Sequence, residues 1–197
     1  YGTVDLLDGK ITRIAVEDVF DLDGQLVTKV VPPLPVQKIS TAWSLHDANW
    51  FFDFPTSAKK IAWFYEKAGG SSVDGVIALT PEVLARLLGL TGPIAIPGYG
   101  VTLDAENFSD ELSREIEAAD SREEGVSSKN ILKDFTQLLL ERLTNLVAEG
   151  RSREILLTLR EALARRECLL YVTDERLQKL VTDEGFAGSV EPSPGDY

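Results

Sequence analysis

The sequence predicts an α/β fold, an α-β-α sandwich with a central mixed sheet, opened by an N-terminal hairpin and closed by a C-terminal helical hairpin. Three observations lead there. Two runs of strand-forming residues flank Asp8-Gly9, a dipeptide that tolerates the positive φ of a tight turn. Across 73–96, segments of strand and helix pattern alternate, as they do where parallel strands pair through a crossover helix. Ile131, Leu132, Phe135, Leu138, Leu139, Leu143, Leu146 and Val147 form one apolar stripe at helical spacing.

Taken in order, residues 3–7 and 11–16 make the hairpin, and the acidic segment 17–24 closes in a second turn at Asp23-Gly24. Pro32, Pro33 and Pro35 make 30–35 an extended connector, since proline cannot donate to a sheet ladder. A helix follows over about 56–68, started by Pro55, Thr56 and Ser57, with Ala58, Ile61, Ala62 and Tyr65 on its apolar face and Gly69-Gly70 at its end. Residues 73–79 read as a strand. Thr80 then caps a helix that Pro81 opens and Gly89 stops, 93–96 is a further strand, and 97–100 is a turn. Asp104 caps a helix over 105–119, and 120–128 is a polar break. The long apolar stripe ends at Gly150, and Ser152 caps a partner helix with Ile155, Leu156, Leu159, Ala162 and Leu163 on its face. So short a link makes the two helices antiparallel neighbours. Residues 169–172 form a strand, Asp174 caps a last helix that turns Leu177, Leu180 and Val181 inward, and Gly185 ends it. The tail from Glu191 carries two prolines and reads as loose.

At 197 residues the chain is most simply one α/β domain, with 44% apolar and 26% charged residues, an ordinary globular balance. Its formal charge of −12 opposes binding to a nucleic-acid backbone or an anionic membrane surface. Cys168 is the single cysteine, so no intrachain disulfide forms, and its apolar surroundings predict a buried, inert thiol. No apolar run approaches the ~18 residues that cross a bilayer, and Tyr1 begins no signal-peptide pattern. The absence of methionine suggests a fragment of a larger protein, with membrane contact expected only through a segment outside this chain.

Four carboxylates, Glu17, Asp18, Asp21 and Asp23, crowd seven positions at a strand exit. Such a group repels itself unless it is solvated or bridged by a cation, and magnesium or manganese suits one or two carboxylates plus phosphate oxygens. Asp21-Leu22-Asp23-Gly24 opens like a calcium loop, but Gln25-Leu26-Val27 supplies neither a third ligand nor a distant glutamate, so a β-turn is expected. The densest stretch is 47–58. It joins Asp47, Asn49 and Asp53 to Trp50, Phe51, Phe52 and Phe54 just before a helix, a composition that either plugs a core or binds something. Aromatics of this density stack on sugar faces or fill a core, and core filling is the expectation, with Trp63 left off the apolar face. His46 is the single histidine. Beside Asp47 on a strand it would face away from it, so a structural role is expected and no Ser/Cys-His-Asp enzyme is evident. Gly98-Tyr99-Gly100 is a turn and lacks the glycines of a phosphate loop.

These residues carry a resemblance. The hairpin leading into 17–24, the 47–58 loop with Asp47-Ala48-Asn49-Trp50 and Asp53-Phe54-Pro55, the pair 73–78 and 90–94, and Gly195-Asp196-Tyr197 together resemble a bacterial family, domain of unknown function 4012. Members usually carry arginine where His46 stands and Ser-Pro where Phe51-Phe52 stand, and a polar glycine-rich segment ahead of Tyr1. The resemblance implies a membrane-anchored protein whose globular part lies on the extracellular face of a bacterial cell membrane. It also implies a distant similarity to LytR-CpsA-Psr domains, which move glycan phosphates from polyprenyl carriers to the cell wall. On that similarity, the 17–23 carboxylates would sit where those enzymes gather magnesium and pyrophosphate, with Arg13, Lys59 and Lys60 as the nearest cations.

Two functions follow as expectations. In one, the domain is a non-catalytic extracellular scaffold or ligand-binding module, in which Asp47, Asn49 and Asp53 cap turns and a helix start. In the other it binds or transfers a lipid-linked phosphorylated glycan. There Asp18, Asp21 and Asp23 would hold magnesium or manganese, Asp47 and Asp53 would act on the substrate hydroxyl, and Asn49, Trp50, Arg13 and His46 would contact the ligand.

Overall fold

The computed structural model describes residues 1–97, 99–120 and 129–190. The chain gathers into two compact units, Tyr1–Asp18 with Leu79–Glu167, and Val19–Ala78 with Cys168–Tyr197.

In the first unit, β1 (Gly2–Leu7) and β2 (Lys10–Val16) form the expected hairpin, with Asp8 at φ 51° and Gly9 at φ 73°. The pairing is antiparallel from Gly2↔Val16 to Leu7↔Lys10, with one irregularity after Asp5. Thr80 and Pro81 begin a helix, α1 (Pro81–Thr91), as their pattern predicts. It runs past Gly89 and stops at Gly92, where φ is 77°. Next come β3 (Ile94–Ile96) and β4 (Val101–Leu103), paired antiparallel. Asp104 accepts from the amides of Glu106 and Asn107, making a side-chain turn ahead of α2 (Phe108–Asp120). The helical hairpin is α3 (Lys129–Ala148) and α4 (Ser152–Ala164), linked through Gly150 at φ 82°. Arg151, not Ser152, stands at the cap position, and it pairs with Glu154. The core of this unit joins Val83, Leu88, Ile94, Phe108 and Phe135, and the last two rings lie 4.9 Å apart. Val147, expected on the buried stripe, is exposed. Outside the packed core, Arg86 grips Glu167 with Nε and one terminal nitrogen, at 2.7 and 2.9 Å.

The second unit begins with α5 (Val19–Asp23), a single short helix where a β-turn was expected, closed when Gly24 donates to the Phe20 carbonyl. Helical 3-10 turns at Val36–Lys38 and Leu45–Asp47 follow, with an isolated bridge between Val30 and Trp43. Then comes α6 (Phe54–Lys67), which starts two residues earlier than expected because Asp53 is the cap. Its buried face is Phe54, Ser57, Ala58 and Phe64. The expected inward residues Ile61, Ala62 and Tyr65 are only half-buried. Strand β5 (Gly75–Leu79) lies beside β6 (Cys168–Val172). A Cβ on Gly75 would stand 2.5 Å from the Tyr171 carbonyl oxygen, so only glycine permits that approach. Phe54, Ala58 and Tyr171 pack together with Val76, Ala78 and Leu169. Asp174 caps α7 (Glu175–Asp183) through the amides of Arg176 and Leu177, as predicted, but Leu177 and Leu180 are exposed.

The class is therefore α/β with small antiparallel sheets, and the helical and β hairpins form where the sequence places them. The central mixed sheet does not. Among the described residues the strands fall into three two-stranded sheets. The crossover pairing expected of 73–79 with 93–96 is absent because 94–96 turns straight back on 101–103. Closing that short loop costs about 1 kcal/mol less chain entropy than pairing across the helix. The polar break over 121–128, Gly98 of the predicted turn, and the tail 191–197 lie outside the described residues.

Cys168 is buried, and burial pushes its thiol pKa up. Its reaction with a disulfide reagent is expected to be slow in native protein and to become fast only on unfolding, a difference that absorbance of the released thiolate measures directly. Fast native labelling would contradict the burial.

Candidate functional site

The 43–58 loop and α5 meet at His46. Because Leu45–Asp47 is a 3-10 turn and not a strand, the histidine and its neighbour can face each other. His46 Nε2 lies 3.0 Å from an Asp47 carboxylate oxygen, and Nδ1 lies 2.7 Å from Asp23 Oδ2. Asp23 also accepts from the amides of Leu45 at 2.7 Å and His46 at 3.3 Å. The end of α5 is thereby pinned to the turn by one carboxylate. The Phe20 ring lies 5.2 Å from the imidazole. Ser44 Oγ is 3.0 Å from Nδ1, yet Asp23 is closer to that nitrogen and Asp47 occupies the other. Both imidazole nitrogens therefore lie against carboxylates of the domain itself, and neither faces a serine or cysteine placed as a nucleophile would be.

Asp53 is spent on structure. Its Oδ2 accepts from the Thr56 amide and hydroxyl, and Oδ1 accepts from the Val190 amide at 3.2 Å. The Thr56 hydroxyl is the main cause holding its carboxyl below the usual aspartate range; burial opposes, and the Val190 and Thr56 amides and Lys59 add to the lowering. A depressed folded pKa means that the stabilisation is whole above the ordinary carboxyl value near 3.8 and is lost as pH falls through the lower, folded one. Asp53→Ala should cost about 1 kcal/mol at neutral pH. The melting temperature of Asp53→Asn should fall less steeply than that of the parent below about pH 4. Parallel acid profiles of the two would remove Asp53 from the account of acid loss.

Ser57, which the sequence marks only as a helix-start residue, has a further use. It is fully buried, its Oγ donates to the Phe51 carbonyl and accepts the Phe51 amide at 2.9 Å, and so it ties the aromatic bend to α6. Trp43, unremarked in the sequence, is buried and donates from Nε1 to the Asp47 carbonyl at 3.0 Å. Lys60 sits over the rings of Trp43 and Trp63 at 5.2 and 4.8 Å. Trp63 is thus half-buried beneath an ammonium, while Trp50 and Phe52 are exposed, the latter at 99%. Phe54 and Phe64 do fill the core as expected.

Two expected site residues of the same unit, Asn49 and Asp21, do not join this group. Asn49 is exposed, and Asp21 is exposed on α5, with its backbone carbonyl accepting from Gln25. Arg13 is an exposed residue of β2 opposite Asp5, and Asp18 ends the first segment of the other unit. Among the described residues, no three His, Cys, Asp or Glu side chains are arranged to hold a metal ion. Asp23, expected as a cation ligand, serves His46 and two amides instead.

A family model described as "Protein of unknown function (DUF4012)" matches residues 1–116. The chain belongs to the DUF4012 family. The DUF4012 match runs from β1 through most of α2, including α5, the 3-10 turns and α6, and hence the whole Asp23–His46–Asp47 group. Comparison with curated proteins and with solved structures returned no match. No described helix is long and apolar enough to cross a membrane.

Proposed function

We propose that this DUF4012 chain is a non-catalytic structural or ligand-binding domain of a bacterial envelope protein, held outside the membrane by a segment beyond this chain. The observation behind the non-catalytic reading is how the loop carboxylates are used: Asp53 caps α6 and ties Val190, and Asp23 and Asp47 bracket His46. Acid–base work on a substrate needs a carboxylate with a free face in a pocket, and these three are engaged by their own surroundings. Transfer of a polyprenyl-linked glycan phosphate, the reading that the LytR-CpsA-Psr similarity offers, needs a cation and a cationic clamp on the pyrophosphate. Lys60, one of the few cations near the loop, is occupied by the Trp43 and Trp63 rings.

Calorimetric titration with magnesium and then manganese, with and without a short-chain polyprenyl pyrophosphate, tests the choice. No heat of binding is expected, and Asp21→Ala should behave as the parent. Saturable binding abolished by Asp21→Ala would overturn the scaffold reading in favour of transfer. For location, protease added to intact cells of the native host should cut the domain in the full-length protein, and protection of the domain would place it inside.

A further inference from the structure

Three consecutive aromatics, Trp50, Phe51 and Phe52, stay in the water at 43%, 37% and 99% exposure. An exposed apolar side chain by itself is ordinary. Here a whole ring stands clear of the domain at a bend just before α6, with two partly exposed rings beside it in the chain. The bend is not slack. Ser57 donates to the Phe51 carbonyl and accepts the Phe51 amide, and the Phe51 ring meets the buried Trp43 edge-on at 6.0 Å. On the other side of Phe52, Asp53 caps α6. The backbone on both sides of Phe52 is thus fixed with its ring outward.

Area and shape decide what such a tip meets. At about 200 Å² for a whole aromatic side chain, the exposed parts come to roughly 350 Å². A stable contact with a protein, a second copy of this chain included, takes about 800 Å² on each side. A ring that is 99% exposed also forms no wall of a groove; it can only enter something. Insertion into a fluid apolar layer needs no matching pocket and gains from just this apolar area. Sugar recognition would need polar side chains free beside the rings. Here Asp53 and Ser57 are engaged within the domain, and Asp47 lies against His46. Charge narrows the kind of layer. Around the bend, Asp47 and Asp53 are matched in number by Lys59 and Lys60 of α6, and Lys59 is near enough to help lower the Asp53 pKa. Beyond His46, Asp21 and Asp23 of α5 join the chain's −12 in opposing an anionic surface. A zwitterionic surface suits both.

We propose that the tip at Trp50, Phe51 and Phe52 inserts into the interfacial layer of a zwitterionic phospholipid bilayer, with Phe52 entering deepest and Trp50 at the level of the headgroups. An indole suits that level because its ring is apolar and its N–H finds a polar partner there. The contact is weak and reversible, as a single small apolar insertion is. It is made by this chain's own residues and adds to the membrane link expected through a segment outside it. It stands whether or not the scaffold reading does.

Sedimentation with sucrose-loaded vesicles of phosphatidylcholine and phosphatidylethanolamine tests this. The parent chain should partition saturably, with half of it bound at lipid concentrations on the order of 1 mM. Vesicles with brominated acyl chains should quench its emission. Trp50→Phe should lose most of that quenching while still binding, because Trp43 is buried and Trp63 half-buried. Phe52→Ser should bind about tenfold more weakly or worse, and Phe52→Leu about as the parent does. Both variants keep the fold, since at 99% exposure the ring packs on nothing, and an unchanged urea midpoint checks it. Adding phosphatidylglycerol should weaken binding at low salt and much less at high salt. Absence of the parent from the vesicle pellet, or equal binding by Phe52→Ser, would overturn the proposal. So would self-association of the parent in sedimentation velocity that Phe52→Ser abolishes, a result that assigns the tip to a second copy of this chain.

Discussion

Replacing Phe64 by alanine is expected to destabilise the unit that contains it by about 3–5 kcal/mol, the range for truncating a buried aromatic. Phe64 is wholly buried in the second half of α6. Its ring meets Trp43 edge-on at 5.4 Å and Trp63 at 5.0 Å. The cost of such a cavity depends on how far its walls can collapse, and these walls are fixed. Trp43 is held by its backbone bridge to Val30 and by the bond from its indole to the Asp47 carbonyl. Trp63 is held from above by Lys60 and Lys67. Phe64→Leu fills much of the space and should cost less than half as much. Urea unfolding followed by tryptophan emission reads the effect cleanly, because Trp43, Trp50 and Trp63 all lie in this unit. A loss under about 1 kcal/mol for Phe64→Ala would mean that the aromatic cluster is not what holds the loop to the helix.

What could be read from the sequence was local, and what could not was the choice of partner. Asp8-Gly9, Thr80-Pro81 and Asp174 announced their turn and caps because a positive φ, a missing N–H and a short side-chain acceptor act within three residues. The helical hairpin was legible for the same reason, its stripe and its glycine being adjacent. Pairing of strands was not. The 75–79 strand pairs with 168–172, about ninety residues on, and no local pattern distinguishes that from a crossover to 94–96. In the loop, composition singles out Asp53 and Asp47 but leaves their use open between catalysis and capping. A carboxylate reads alike in either role until its acceptor atoms are placed. A strand period would turn His46 away from Asp47; one 3-10 turn reverses that geometry. The tie from Ser57 to Phe51 gives no separate sign, since a serine in the first turn of a helix reads as a helix start whether it faces solvent or the core.

Asp23→Ala should lower stability by about 2–3 kcal/mol, more than its place in an acidic cluster suggests. Its side chain is 11% exposed and takes three donors: the Leu45 amide, the His46 amide and His46 Nδ1. Alanine removes an acceptor from all three, and an amide left without its partner loses more than the mean value of a bond. Asn should recover part of the loss, because its carbonyl can still accept from Leu45, although it offers one acceptor oxygen where the carboxylate offers two. With the His46 side chain about a third exposed, a cycle of Asp23→Ala and His46→Ala should give a coupling of about 0.5–1 kcal/mol. The same variants separate the two uses of this carboxylate. As a tie between α5 and the turn, Asp23 sets the melting temperature whether or not a divalent cation is present. As a cation ligand, it would make the parent more stable in magnesium or manganese by the free energy of binding, and Asp23→Ala would lose that increment. A melting temperature that does not move with either metal, together with a large drop in Asp23→Ala, fits the tie; a rise with metal that the variant abolishes would reinstate the cation site.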